Sequence, residues 1–317
     1  MASFPATASF SGHETFPFRY AWLKKGVDAV RNDPAVFSKE EEAMTILGVG
    51  KNMVRSIRHW CLTATVLQET PTKRSARRGG FQPSEIGEWL FSDDGADPYL
   101  EDPATLWLLH WAIASNPLRA TTWFWAFSYV HDSEFTKDTL LEGLQNWANT
   151  AGWKRVSPSS LRRDLDCLIR TYLPARQTAT VPEDTLDCPL VELNLICDAG
   201  ARHTYRFNRG PQALLPDGIL FYATLDYWDR CAPDRETMSL HDLAHQPGSP
   251  GRLFKIDEDS LAMRYEQVEQ WTKGGMNYDE TAGVKQLYRR EKTPPIAILK
   301  QTYRTRTREN RATAHAK

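Results

Sequence analysis

Apolar side chains at helical spacing begin near residue 18 and predict the first element of the chain. In the stretch FRYAWLKKGVDAVR, the residues Trp22, Leu23, Val27 and Val30 recur one, three or four positions apart. This spacing is that of an amphipathic helix with one buried face. Asn-Asp-Pro at residues 32–34 follows directly, so the helix is expected to end there.

A short helix, a glycine turn and a longer helix are predicted next. The stretch EEEAMTILG predicts a short helix that ends at Gly48, and Ser38 with Glu41 matches a capping box at its start. The stretch NMVRSIRHWCLTATVLQ then places apolar positions in one stripe and basic positions on another face. With the lysine just before it, those basic positions are Lys51, Arg55 and Arg58. The order is typical of a helix-turn-helix, in which Asn52 and Arg55 would read base edges.

A basic hairpin is predicted after this helix pair. The stretch ETPTKRSARRGGFQPSEIGEWLF indicates two short strands around a Gly-containing tip and then a capped helix. Its tip carries four basic residues within six positions, which suits contacts to phosphates. These residues are Lys73, Arg74, Arg77 and Arg78. A helix-turn-helix followed by such a hairpin is the pattern of a winged helix, which binds nucleic acid in many proteins and other proteins in some.

The same order of elements is predicted again further along the chain. An acidic connection with Pro and Gly spans residues 92–103, and two Trp-rich helices that we expect to be buried follow it. A second helix pair then leads to two strands around Asp198–Gly200, and its second helix carries Arg162 and Arg163. A third copy, similar in shape with little shared sequence, is predicted in the last third of the chain.

These patterns predict a mainly α fold with small β wings, of the α+β class, made of tandem winged-helix-like domains. The predicted parts are a winged-helix DNA-binding domain at 1–97, an aromatic-rich helical domain with a second winged-helix-like unit at 98–210, a helical or winged-helix-like domain at 211–301 and a basic tail at 302–317. The tail is Arg-rich and has no apolar periodicity, so it is expected to be disordered in isolation.

Composition places the chain among ordinary globular proteins. Of its 317 residues, 41% are hydrophobic and 25% are charged. No stretch approaches the roughly 18 apolar residues of a membrane-spanning helix, and no export signal is recognised at the N-terminus. The cysteines are odd in number, scattered, and never spaced as CxxC, which indicates reduced thiols. A cytoplasmic protein without membrane contact is expected.

Charge is unevenly distributed along a chain whose formal net charge is −1. Residues 51–80 contain seven Lys or Arg and a single acid, Glu69. Residues 285–317 contain ten basic residues and two acids. Two basic blocks in a nearly neutral protein favour a polyanionic partner, such as DNA, that is contacted at defined places.

A polar group among aromatic residues near the N-terminus is a candidate for phosphodiester cleavage. In SGHETFPFRYAW, the histidine could act as a base, the glutamate as a base or metal ligand, the arginine as a phosphate clamp and the tyrosine as a nucleophile or stacking platform. These residues are His13, Glu14, Arg19 and Tyr20. The alternative is structural: Ser11 and Glu14 also fit a capping box, and Phe16 and Phe18 would anchor the first helix. The sequence leaves both open.

Three further motifs are weaker. GVGK lacks the pattern of a phosphate-binding loop and is better explained as a helix turn. In HDLAH, His241 and His245 have the spacing of two metal ligands on one helix face, but Asp242 stands where a zincin has Glu and no third ligand is evident. A surface helix end explains this motif better. DEDS at 257–260 could bind a divalent cation, although an acidic helix N-terminus explains it better.

Four stretches of the sequence resemble a bacterial family catalogued as a domain of unknown function, which includes the SspB-type DNA-nicking subunits of single-strand DNA phosphorothioation systems. They are SGHETFPFRYAWLKKG, FSKEEEAMTILGVGKNMVRSIRHWC, LPDGILFYATLDYW and PGSPGRLFKIDEDSL. The resemblance extends to about residue 290. It implies a protein that opens one DNA strand so that partner enzymes can exchange a non-bridging phosphate oxygen for sulfur.

The resemblance also implies partners and leaves rival functions. The implied partners are a cysteine desulfurase, an ATP-pyrophosphatase-like sulfur-insertion enzyme and an ATPase. A nickase of this kind would work with Mg²⁺ or Mn²⁺, yet no PD-(D/E)xK or HNH signature is visible and the metal ligands stay unknown. The rivals are a non-catalytic target-recognition or scaffold subunit and a winged-helix transcriptional regulator, which would need a dimer and a palindromic site.

Overall fold

The computed structural model describes residues 7–70, 79–153, 156–174 and 188–315. It divides into two compact units, the first comprising residues 1–126 and 130–207 and the second residues 127–129 and 208–317. Helices dominate both units; the described residues form two small antiparallel sheets in the first unit and one in the second. The α+β class predicted from the sequence is confirmed, whereas the predicted four-part division stays a prediction.

The first unit is built from helices and short strands that alternate along the chain. Its helices are α1 (Tyr20–Asn32), α2 (Glu40–Leu47), α3 (Lys51–Thr63), α4 (Glu85–Phe91), α5 (Pro103–Ala114), α6 (Thr121–Tyr129, whose last three residues belong to the second unit), α7 (Lys137–Thr150) and α8 (Pro158–Tyr172). Its strands are β1 (Leu67–Glu69), β2 (Phe81–Pro83), β3 (Phe135–Thr136), β4 (Ile196–Asp198) and β5 (Thr204–Phe207). Two 3-10 helices span Val36–Ser38 and Pro189–Leu193.

Helix ends in this unit follow the local sequence in most places. Gly48 ends α2 in the left-handed conformation, with φ of 64°, as its position in the sequence predicts. Ser157 caps α8 through a hydrogen bond from the Ser160 amide, ahead of a proline at the first helical position. The capping box predicted at Ser38 is wrong, because that residue ends a 3-10 helix and its hydroxyl donates to the Ala35 carbonyl.

Large aromatic side chains fill the core of the first unit. Helix α5 is apolar on all sides and almost every residue in it is buried, as the sequence predicts for the Trp-rich helices. The largest of the side chains that are less than 2% exposed in this unit are Trp60, Trp107, Trp111, Trp123, Tyr172, Phe18 and Phe91. Their volume lets short helices and very short strands share one packed interior.

Two small sheets lie in the first unit. Strands β1 and β2 pair antiparallel, and the Phe81 amide at the start of β2 donates to the Pro34 carbonyl at 2.8 Å. Pro34 therefore lies on the free side of β2, where a third strand would pair. The second sheet has the order β3-β5-β4, so the strand that comes last of these three in the sequence lies in the middle of the sheet. The strands predicted on either side of Asp198–Gly200 are β4 and β5.

The second unit repeats this alternation. Its helices are α9 (Asp217–Cys231), α10 (Leu240–His245), α11 (Pro250–Phe254), α12 (Glu258–Tyr265), α13 (Val268–Thr272) and α14 (Pro295–His315). Its strands are β6 (Thr237–Ser239), β7 (Met276–Thr281) and β8 (Val284–Arg289), in the order β6-β8-β7. Helix α14 packs on α9 and buries Thr302 and Tyr303, so the stretch without apolar periodicity begins inside a helix.

Two expectations about cysteines and membranes can be compared with the described residues. All five cysteines are free thiols, as their scattered positions predict, and burial raises the pKa of the Cys61 thiol far above its usual value. Among the described helices, none combines the length and the apolar character that crossing a membrane requires.

Candidate functional site

The N-terminal segment, defined as residues 9–19, is a mostly half-buried turn and not a helix cap. Ser11, Glu14 and Thr15 adopt positive φ angles, and the Glu14 amide donates to the Ser11 carbonyl at 3.1 Å. Helix α1 begins only at Tyr20, after the extended Arg19. The capping-box alternative for Ser11 and Glu14 is therefore wrong, although both residues have the right spacing for it.

His13 lies at the centre of a buried hydrogen-bond network. Its Nε2 lies 3.0 Å from Oδ1 of Asp164 on α8, and its Nδ1 accepts from the Thr15 amide at 3.0 Å. Because an amide can only donate, Nδ1 has no proton, and Nε2 carries the hydrogen that is donated to Asp164. The residue is 1% exposed. Both ring nitrogens are therefore engaged, and neither can take a proton from a water or a hydroxyl in this arrangement.

Asp164 holds the N-terminal segment through both of its carboxylate oxygens. Besides His13, Oδ1 accepts from the Ser11 amide at 2.6 Å, and Oδ2 accepts from the Thr122 hydroxyl on α6 at 2.9 Å. The Ser9 amide donates to the hydroxyl of Thr121, also on α6, at 2.8 Å. Residues more than 100 positions away thus satisfy the polar groups of the segment, as buried polar groups require.

Helix α3 covers the other side of the N-terminal segment. The Ser56 hydroxyl donates to the His13 carbonyl at 3.0 Å, and the Trp60 indole donates to the Phe16 carbonyl at 2.8 Å. The His59 ring packs edge-on to the His13 ring, with centroids 6.0 Å apart. Burial, and to a smaller extent the charges of neighbouring groups, lower the pKa of His59 to about 3. Helix α3, which is predicted to contact DNA bases, therefore also packs against the hydrogen-bond network around His13.

The other predicted catalytic residues lie in different surroundings from His13. Glu14 is half-buried, Arg19 lies over the Trp22 ring with its Cζ 5.5 Å from the centroid, and the exposed Tyr20 hydroxyl donates to Glu192. The segment thus turns His13 inward while Tyr20 lies at the surface. The geometry favours the structural role for His13. The catalytic roles of all four residues stay predictions.

The basic face of α3 is partly neutralised by an acid on α2. Glu40 accepts from Lys51 and from Arg55, each at 2.7 Å. These hydrogen bonds hold the pKa of the Glu40 carboxyl below its usual value and raise the pKa of Arg55. Asn52 and Arg58 are exposed. The sequence analysis does not predict this pairing. The signal that could have indicated it is an acidic residue on the helix that precedes the basic one.

Helix α8 has a basic exposed face opposite the buried Asp164. Arg162 and Arg163 are exposed, and Arg162 lies 3.2 Å from Asp138 on α7. Such a surface pair is weak and leaves the guanidinium available to a phosphate. The four predicted wing residues Lys73, Arg74, Arg77 and Arg78 lie outside the described residues.

Helices α10 and α12 bring together a cluster of three potential metal ligands, His241, His245 and Glu258. Among the described His, Cys, Asp and Glu residues, these three have ligand atoms within 4.8 Å of one another. The His245 Nε2 lies 2.7 Å from the Glu258 Oε2, and the two imidazole centroids are 4.8 Å apart. The spacing within HDLAH could not indicate this third ligand, because Glu258 lies in the acidic motif DEDS at the start of another helix.

The sequence between the two helices explains how the cluster forms. Ser249 caps α11, and a Cβ at Gly251 would lie 2.6 Å from the Cα of Ala244, so glycine lets α11 pack directly on α10. Asp257 then caps α12 with hydrogen bonds to the Ser260 amide and hydroxyl, both at 2.8 Å. Since the cap uses Asp257, the next carboxylate, Glu258, is the one that meets His245.

A pocket of about 230 Å³ adjoins this cluster and is lined by basic and acidic side chains. Its charged and titratable lining residues are Arg209, His245, Arg252, Lys255, Asp257 and Glu258. The Arg252 Nε donates to the His245 carbonyl at 2.9 Å, and the Lys255 Nζ donates to the Phe127 carbonyl at 2.7 Å. Burial holds the pKa of Lys255 well below its usual value, and the charges of both arginines add to this effect.

Comparison with known proteins places the chain in a family. Residues 10–303 match the family described as "Protein of unknown function (DUF4007)", so the chain belongs to it. Two crystal structures of SspB are also similar. The magnesium ion-bound one has a TM-score of 0.84 and 33% identity over 94% of this chain and 88% of that chain. The other has a TM-score of 0.85 and 32% identity over 95% and 89%.

The resemblance that the sequence shows to an SspB-type family is therefore confirmed. No curated protein sequence matches the chain. One of the related structures holds a magnesium ion. This is compatible with the divalent metal that the sequence predicts as a cofactor.

Proposed function

We propose that the protein is a subunit of a bacterial DNA phosphorothioation system that binds DNA and nicks one strand. The similarity to SspB over 94% of the chain carries this proposal, because nicking is what the resemblance to SspB-type subunits implies. The nick would let partners replace a non-bridging phosphate oxygen by sulfur. A cysteine desulfurase, an ATP-pyrophosphatase-like sulfur-insertion enzyme and an ATPase are the partners that we propose.

The topology supports tandem winged-helix-like domains as the DNA-binding framework. Twice along the chain, a short strand is followed by helices and then by a hairpin of two strands. The first set is β3-α7-α8-β4-β5. The second set is β6-α10-α11-β7-β8, in which α12 and α13 are inserted before β7. Both sheets place the last strand between the first and the second. The first helix pair has the same plan, with Pro34 beside β2 in the place of the first strand. This is the strand order of a winged helix.

Within this framework the DNA contacts would come from the second helix of a pair and from the wing. On α3 we propose Lys51, Asn52, Arg55 and Arg58, of which Lys51 and Arg55 share Glu40 and would exchange it for a phosphate. On α8 we propose Arg162 and Arg163. The four basic wing residues would add phosphate contacts. The buried face of α8 is held by Asp164, so its exposed face is presented by a rigid helix.

Removing the basic face of α8 is expected to weaken DNA binding and its dependence on salt. Each phosphate contact contributes about 0.9 to the slope of log K against log salt concentration. The double variant Arg162→Ala/Arg163→Ala should therefore flatten the slope by about 2, measured by fluorescence anisotropy on a duplex between about 50 and 200 mM salt.

The matched control carries the same change of charge elsewhere. Arg230 and Arg235 are exposed residues at the end of α9 and just beyond it, and Arg230→Ala/Arg235→Ala should leave the slope within error of the wild type. If both double variants flatten the slope equally, net charge and not the α8 face governs binding, and the proposed contact is wrong.

Purified protein is expected to convert supercoiled plasmid to the open-circle form in the presence of Mg²⁺ or Mn²⁺. On the N-terminal segment we propose Glu14 as base or metal ligand, Arg19 as phosphate clamp and Tyr20 as nucleophile or stacking platform, with His13 holding the segment in place. Loss of a positioned acid or base costs roughly 100-fold or more in rate. Glu14→Gln should show that loss in a gel time course, whereas Glu41→Gln on the exposed face of α2 should not.

A second function is favoured by the engagement of both His13 nitrogens. A non-catalytic target-recognition or scaffold subunit would bind DNA with the same steep salt dependence and would produce no open circle with either metal. That combination of results would replace the nickase proposal by this one. If Glu14→Gln nicks plasmid as fast as the wild type, the nickase proposal stands, and the catalytic residues lie outside the N-terminal segment.

A further inference from the structure

The cluster of His241, His245 and Glu258 has the composition of a transition-metal site. His241 and His245 lie one helical turn apart on α10, which is the spacing that directs two imidazoles to one ion. Glu258 supplies a carboxylate from α12 and already lies at 2.7 Å from His245. The ligand atoms are within 4.8 Å of one another, whereas about 3.3 Å separates ligands around a tetrahedral ion with bonds of about 2.0 Å. Rotations of the exposed side chains can close that difference.

The donor set selects among metals. Mg²⁺ prefers oxygen ligands and keeps much of its water, so two imidazoles and one carboxylate are a poor match for it. Imidazole nitrogen suits Zn²⁺, Fe²⁺ and Ni²⁺ better, whereas Mn²⁺ prefers oxygen ligands as Mg²⁺ does. With three protein ligands, a position on the ion remains open to water or to an anionic ligand, as in catalytic zinc sites. The cluster thus differs in chemistry from an all-oxygen magnesium site.

The adjoining pocket contains two guanidinium groups that can contact an anion. His245 and Glu258 belong to the cluster and also line the pocket, together with Arg209, Arg252, Lys255 and Asp257. Both carboxylate oxygens of Asp257 accept hydrogen bonds from Ser260, so this acid is engaged in capping α12. Arg252 is fixed by its bond to the His245 carbonyl, which couples its position to that of a ligand. A volume of about 230 Å³ admits a phosphate group. Guanidinium groups recognise phosphate oxygens through paired N–H donors.

We infer that His241, His245 and Glu258 bind one divalent transition-metal ion and that Arg209 and Arg252 hold a phosphate group beside it. Metal and phosphate binding are properties of this cluster itself and do not depend on the proposed nicking. A nickase that lost metal binding at this cluster would separate the two, as would a protein that binds metal and phosphate here and leaves plasmid intact.

Metal binding is tested with Co²⁺, whose visible absorption reports imidazole ligation directly. The full-length wild type should bind one equivalent of Co²⁺ that Zn²⁺ displaces and that Mg²⁺ at equal concentration does not. His241→Ala, His245→Ala and Glu258→Gln should each weaken Co²⁺ binding at least tenfold. His203→Ala, which removes an exposed histidine of the first unit, should leave it unchanged. Because the three cluster residues are exposed or half-buried, circular dichroism is expected to show folded variants.

Phosphate binding is tested on the Co²⁺-loaded protein with inorganic phosphate as the probe. Phosphate should shift the Co²⁺ absorption band, and Arg209→Ala/Arg252→Lys should raise the phosphate concentration for half of this shift at least fivefold while Co²⁺ affinity stays within twofold. Absence of Co²⁺ binding, Co²⁺ binding that survives in all three cluster variants, or ready displacement of Co²⁺ by Mg²⁺ would overturn the metal site. A phosphate response unchanged in the arginine variant would overturn the anion site.

Discussion

Replacing Asp164 by alanine is expected to lower the free energy of unfolding by about 3–5 kcal/mol. The side chain is buried, and its two oxygens accept from the Ser11 amide, the His13 ring and the Thr122 hydroxyl. Alanine would leave these three donors without their acceptor in a place that water does not reach freely. Each unsatisfied buried donor costs roughly 1–3 kcal/mol, and partial relaxation reduces the sum.

The matched control for Asp164 lies two residues further along the same helix. Asp166 forms an ion pair with Lys137 at 2.5 Å, and both side chains are more than a third exposed. Asp166→Ala removes the same number of atoms and the same charge from α8, so it should cost less than about 1 kcal/mol. Chemical denaturation followed by tryptophan fluorescence gives both values. Equal losses in the two variants would show that the network around His13 contributes nothing beyond a surface charge.

The Asp164 variant should also show where the stability is lost. Hydrogen exchange, read by mass spectrometry, should rise first in the N-terminal segment, because its amides and carbonyls are held by α3, α6 and α8. Peptides from the second unit should keep their protection. Asp164→Asn keeps an acceptor for the Ser11 amide and should fall between the wild type and Asp164→Ala.

Local elements were predictable because the physics that forms them lies within a few residues. Gly48 could be recognised as a helix end because only glycine adopts positive φ without strain, and the hairpin of β4 and β5 could be recognised from strand alternation around Asp198–Gly200. The two capping boxes at Ser11 and Ser38 failed for the converse reason. Their spacing is right, but a cap also needs a helix that starts there, and tertiary contacts set both starts elsewhere.

Sites assembled from distant residues were only half visible in the sequence. His13 stood out as polar chemistry among aromatics, yet Asp164 lies 151 positions away on a helix that was noted only for its arginines. His241 and His245 stood out by their spacing, whereas Glu258 had been explained by the helix N-terminus at which it lies. In both cases the local motif indicated the histidines of the site but not the carboxylate that they contact. The partner was indicated only by the packing of helices, which no local pattern encodes.

Adding a methyl group at Gly251 is expected to destabilise the second unit by about 3 kcal/mol, at the upper end of the usual cost of overpacking. A Cβ there would lie 2.6 Å from both the Cα and the carbonyl oxygen of Ala244. Backbone atoms cannot rotate away as a long side chain can, so α11 must move off α10. That movement would also stretch the bond between Arg252 and the His245 carbonyl, which is 2.9 Å long in the native arrangement.

Gly50→Ala provides the comparison for Gly251→Ala. Gly50 has φ of −70°, and a Cβ there would meet no atom within 4 Å, so the change should cost less than about 1 kcal/mol. Denaturation midpoints should separate the two variants, and hydrogen exchange of residues 240–258 should rise in Gly251→Ala alone. If the two variants lose equal stability, α10 and α11 tolerate separation, and the glycine is not what brings His245 and Arg252 together.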